Sequence, residues 1–180
     1  NQFIVVFDDG LGMDAEGLVN LWLIGRSNKR TDEVIKRSKR QQIGKFGIGK
    51  LATYTIANRV TYVSRCNNVV LAVTLDFNSF TRKSGNDPVE LEVRIIKDWS
   101  SFYNQPIFRE ACTLAGIPGD ELATNKYPSW TFAILEDLKS KAKNIRQGRL
   151  KWILSTAMPL QEEFKLYLNK ENISRTKESF

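Results

Sequence analysis

Apolar residues alternate with polar ones, or cluster in short β-branched and aromatic runs, at several points along the chain, and each run ends in turn-forming residues. Phe3-Ile4-Val5-Val6-Phe7 is the first strand, stopped by Asp8-Asp9-Gly10. From Asp14, a candidate N-cap, Leu18, Leu21 and Trp22 recur at helical spacing, with Gly25 as the stop. Leu51 to Ala57 continues as a helix. Val60 to Ser64 and Val69 to Leu75 then form a hairpin around Cys66-Asn67-Asn68. Val89 to Ile95 alternates apolar and charged residues, as a strand with one wet face does. Residues 99–128 are irregular, with weak helical patches and no assignable role. Trp130 to Leu135 is a strand, Leu138 to Met158 is helical with an interruption near Gly148, and Phe164 to Leu168 closes the pattern as a strand. This order predicts an α+β fold, a two-layer sandwich in which helices cover one face of a mostly antiparallel mixed sheet.

Between Arg26 and Gln42 the pattern lapses into a polar segment with seven Lys and Arg against Asp32 and Glu33. With so little apolar material to pin it, the segment is expected to act as a flap. A charge of +7 over the 180 residues admits a nucleic-acid partner but is equally a solvated surface. Histidine is absent, which excludes His-based catalysis, phosphohistidine chemistry within the chain and any His-containing metal site; the two cysteines, Cys66 and Cys112, match no metal-ligand spacing. No apolar run approaches a membrane span and no signal peptide opens the chain, so a cytoplasmic setting without membrane contact is expected. The chain starts with Asn1 at the edge of a strand, as a fragment of a longer protein would. One domain over residues 1–180 is expected.

Two glycine-rich stretches carry the chemistry. Asp8-Asp9-Gly10-Leu11-Gly12-Met13 delivers a carboxylate at a strand end beside two glycines, and Gly44-Lys45-Phe46-Gly47-Ile48-Gly49-Lys50 frees several backbone amides to face one anion just before a helix. The second stretch fits the first seven positions of a P-loop, but Leu51 stands where a magnesium-binding Ser or Thr is required, and no strand precedes it. The dinucleotide fingerprint fails likewise, because the polar Lys39-Arg40-Gln41-Gln42 replaces a buried strand.

Asp-x-Gly-x-Gly-Met, a helix, a flap containing Ser27-Asn28-Lys29 and then Gly-x-x-Gly-x-Gly together resemble the GHKL ATPase superfamily of gyrase B, the ninety-kilodalton heat-shock chaperones, MutL, sensor histidine kinases and the MORC proteins. The chaperone-like and MORC-like branches look closest. The resemblance implies a Bergerat-type fold binding ATP or ADP with magnesium. Asp8 would accept a hydrogen bond from the adenine amino group, with Asp9 as the turn residue. Gly12 would let the backbone approach the base, with Met13 packed on it and Gly10 a further binding residue. Amides of Gly47, Ile48 and Gly49 would line the phosphates, with Lys50 adding charge and Gly44 and Phe46 as further binding residues, and Thr131 would contact adenine, although Ser129 and Trp130 depart from the usual Gly-Thr. The family's first helix, with its water-activating glutamate and magnesium-binding asparagine, is expected upstream, so no catalytic residue is assigned and ATP hydrolysis is expected of the full-length protein. Downstream domains and a homodimer are the expected partners. The alternatives are a nucleic-acid module using the flap with Lys139, Lys141, Lys143, Arg146, Arg149 and Lys151, and a histidine-kinase ATP-binding domain.

Overall fold

A computed structural model of the chain describes residues 2–21, 51–82, 91–158 and 164–174. Along these run β1 (Ile4–Asp8), α1 (Ala15–Asn20), α2 (Leu51–Ile56), β2 (Ala57–Cys66), β3 (Val69–Asp76), α3 (Phe77–Arg82), β4 (Val93–Ile95), α4 (Trp99–Tyr103), α5 (Pro106–Ala115), β5 (Trp130–Leu138), α6 (Ser140–Lys143), α7 (Gln147–Ala157), β6 (Leu166–Leu168) and β7 (Glu171–Ile173). Five strands form one sheet in the order β1-β5-β2-β3-β4, antiparallel at every pairing, and β6 and β7 form a separate hairpin. The fold is α+β, as expected.

Strand alternation sorts the core onto the two faces of this sheet. Val60 and Tyr62 of β2, Leu71, Val73 and Leu75 of β3 and Leu135 of β5 pack with Leu18 of α1, Ala142 of α6 and, at its edge, Ile56 of α2. This is the helix-covered face that the sequence predicts. The other face is also covered. Val63, Ala72, Trp130, Phe132 and Ile134 pack there against Phe102 of α4 and Phe108, Ala111 and Cys112 of α5. The segment without an assignable role thus supplies a second helical layer. Its rings interlock: Trp99 meets Phe108 and Trp130 edge-on at centroid distances of 5.5 and 5.9 Å, and the Trp130 indole donates to the Leu122 carbonyl at 2.8 Å. Pro106 starts α5, and Gly116, at φ 72°, ends it in the left-handed conformation.

Asn67 and Asn68, at φ 50° and 62°, form the two-residue turn between β2 and β3. The late helical segment differs from its expected form. β5 runs on to Leu138, and the break falls at residues 144–146, leaving Gly148 inside the first turn of α7. Pairing of Ala57 with Leu138, and the Lys139 N–H donated to the Ile56 carbonyl at 2.9 Å, hold the chain extended where local spacing alone favours a helix.

Candidate functional site

β1 ends at Asp8, and from there to Asp14 the chain crosses the end of the sheet in a series of side-chain-capped turns. The Gly10 N–H donates to Asp8 Oδ1 at 3.0 Å, and the Gly17 N–H donates to Asp14 Oδ1 at 2.8 Å, which caps α1. Gly12, at φ +67°, lies so close to β2 that a Cβ there would sit 1.9 Å from the Arg65 carbonyl oxygen. The Met13 N–H donates to Ser64 Oγ at 2.8 Å. The last two contacts dock the loop onto β2.

Register then gathers the polar groups. Asp8 stands directly opposite Thr131 of β5, and Thr131 directly opposite Ser64 of β2, so the three share one face as a row across neighbouring strands. Asp8 is exposed, whereas Thr131 is 7% and Ser64 0% exposed. Ser64 Oγ donates to the Trp130 carbonyl at 3.0 Å and lies 3.2 Å from Thr131 Oγ1. The next row on the same face is Val6, Ala133 and Tyr62. Val6 is 55% exposed, which puts an apolar surface beside the row's carboxylate, and burial pushes the Tyr62 phenol up, so that it stays protonated well above neutral pH. An acceptor beside an apolar floor suits a flat heterocycle that bears an amino group.

Of the residues singled out in the sequence, Asp8, Gly10, Gly12, Met13 and Thr131 come together here. Gly44, Phe46, Gly47, Ile48, Gly49 and Lys50, and the flap from Arg26 to Gln42, lie outside the described residues. Three expectations change in detail. Asp8, exposed at its strand end, makes the turn contact that Asp9 was expected to make. Gly12 is required by the Arg65 carbonyl, so its lack of a side chain is already explained within the fold. Met13 packs its side chain on the α1-side core and lies against Gly17.

Ser64 and Arg65 were not singled out by the sequence. Ser64 continues the inward alternation of Val60 and Tyr62, so a hydroxyl among buried positions was the available signal. Arg65, 3% exposed, turns its guanidinium to the other face and donates to the carbonyls of Leu122 at 3.4 Å, Tyr127 at 2.6 Å and Thr124, and to Asn68 Oδ1 at 3.1 Å. It ties the 122–127 loop to the strand that supports the site. On the near side, α2 begins at Leu51, the residue after Lys50, and is clamped by Lys139, whose Nζ donates to the Tyr54 carbonyl at 2.6 Å and sits 4.0 Å above the Tyr54 ring.

Residues 1–106 match the family model of histidine kinase-, DNA gyrase B-, and HSP90-like ATPases. The chain belongs to this GHKL family. Its matched part holds β1, the docked glycine loop, α2 and the β2–β3 hairpin, whereas Thr131 and β5 lie beyond it. GHKL domains bind ATP, generally with magnesium. The acceptor row and its apolar neighbour fit an adenine ring. Magnesium is different: among the described residues no group of three or more His, Cys, Asp or Glu could hold a metal ion, so its ligands are assigned to none of them. No curated protein matches the chain. Among the described residues no helix is long and apolar enough to cross a membrane.

Proposed function

We propose that this chain is the ATP-binding core of a chaperone-like or MORC-like GHKL ATPase, in which nucleotide binding drives a conformational switch. The observation that carries the reading is the row Asp8, Thr131, Ser64, with the glycine loop docked onto it through Met13. A carboxylate at the exposed end of that row accepts the adenine amino group, and guanine presents a carbonyl at the same position. The amides of Gly47, Ile48 and Gly49, next to the start of α2, bind the phosphates, with Phe46 and Lys50 beside them and magnesium on the phosphate oxygens. The basic segment 26–42 closes over the triphosphate as a lid, because its seven cations gain a counter-charge there. ATP hydrolysis is the activity that this reading implies for a complete GHKL site, and the cytoplasm, where Cys66 and Cys112 stay as thiols, is its setting.

The nucleic-acid alternative is less favoured. Two of its six late cations are engaged within the chain, Lys139 on Tyr54 and Lys151 with Glu171 at 2.9 Å. A histidine-kinase role would need a phosphoacceptor from elsewhere, since the chain has no histidine.

Titration calorimetry of the chain with ATP, ADP and GTP tests the reading. Saturable binding of ATP and ADP with weaker or no binding of GTP is expected. Heat with DNA or RNA but with none of the nucleotides would overturn it in favour of the basic module.

A further inference from the structure

Ser64 has one hydroxyl proton and two lone pairs, and three partners surround it. The Met13 N–H can only donate, at 2.8 Å, and the Trp130 carbonyl can only accept, at 3.0 Å. If both contacts are made, Ser64 has given its proton to Trp130 and one lone pair to Met13. One lone pair is left for the third neighbour, Thr131 Oγ1 at 3.2 Å, and only the Thr131 proton can meet it. That arrangement fills every position on a hydroxyl that is 0% exposed. In that arrangement the Thr131 hydroxyl is turned towards β2. Towards Asp8, its direct neighbour across the β1–β5 ladder, it offers lone pairs alone.

We propose that Ser64 is a positioning residue for base selection: by holding the Thr131 proton it makes Asp8 and Thr131 a purely accepting edge. Such an edge takes the 6-amino group of adenine, directly or through a water that donates to Thr131, and rejects the 6-carbonyl of hypoxanthine. Were the Thr131 hydroxyl free to rotate, it could donate to that carbonyl and the distinction would weaken. The inference rests on the adenine-nucleotide reading, and Ser64 acts only through Thr131, without touching the ligand.

The test is the ratio of dissociation constants for ITP and ATP, which differ in that group and in the N1 hydrogen that accompanies the carbonyl, measured by calorimetry on the parent chain, Ser64→Ala and Ser64→Thr. The parent prefers ATP. In Ser64→Ala the preference falls about tenfold, the equivalent of one hydrogen bond, and Ser64→Thr, which keeps a hydroxyl, restores it. A merely structural Ser64 would weaken both ligands alike and leave the ratio unchanged; that result in a folded Ser64→Ala overturns the inference while leaving the adenine reading intact. Should Ser64→Ala not fold, Thr131→Val and Thr131→Ser decide instead. The inference needs a reduced ratio in the first and a parental ratio in the second, and a parental ratio in Thr131→Val contradicts it. A parent that binds ITP and ATP equally contradicts it too, and a parent that binds neither removes the adenine reading first.

Discussion

Gly12 and Arg65 meet backbone to backbone across the end of the sheet, with room for no side chain between them. Gly12 also sits at φ +67°, where a Cβ is strained even without a neighbour. Substitution by alanine therefore combines both costs, and Gly12→Ala is expected to destabilise the fold by about 2 kcal/mol or more. Chemical denaturation measures this. An unchanged midpoint would mean that the loop does not dock on β2 as described.

Arg65 works in the opposite direction, from β2 into the second helical layer. Removing its guanidinium leaves the carbonyls of Leu122, Thr124 and Tyr127 without that donor. Arg65→Met is expected to cost at least about 2 kcal/mol and to make the 119–128 loop the first site of proteolysis, at Lys126. Parental resistance of that loop in a variant of unchanged stability would contradict the assigned role.

Strand positions were readable because β-branched and aromatic residues alternate against turn chemistry, whereas Asp8 and Thr131 entered the candidate site through the resemblance to the GHKL superfamily, before their register was known. The details that the sequence hid are those set by distant partners. Alternation with Val60 and Tyr62 turns Ser64 inward, but nothing local reveals its partners, which are 51, 66 and 67 residues away. Nor does local spacing reveal that Lys139 is held to α2, which displaced the expected helix start. The second layer escaped notice because α4 and α5 are short and broken by Pro106 and Gly116, and their aromatic residues gain meaning only once Trp130 and Phe132 face them.

Cys112 lies in that layer at 1% exposure, and burial pushes its thiol up to about 12. The folded state holds its proton while the unfolded chain releases it from about pH 9, so this contribution to stability is complete below pH 9 and is lost as pH rises towards 12. The slope is at most about 1.4 kcal/mol per pH unit. Denaturation between pH 8 and 10 in the parent and in Cys112→Ala should therefore show a shallower decline in the variant, an outcome that equal slopes would contradict. A thiol reagent at neutral pH should label Cys66, which is partly exposed, well before Cys112.

The glycine turn gives a prediction that separates phosphate from base. Gly47→Val and Gly49→Val add branched side chains among the amides proposed for the distal phosphates. ATP binding should be lost while adenosine binding largely persists. Equal loss of both would point to misfolding of the turn and against a phosphate role.

The central claim is that the exposed end of the row on β1, β5 and β2 selects adenine, and Asp8→Asn tests it most directly. The amide side chain keeps the shape of the carboxylate and can still accept from the Gly10 N–H, but it loses the charge that strengthens a bond to the amino group. Calorimetric titration of the folded variant with ATP should show binding weaker than the parent by about 1 to 3 kcal/mol. Parental affinity for ATP in an Asp8→Asn protein of parental stability would contradict the account.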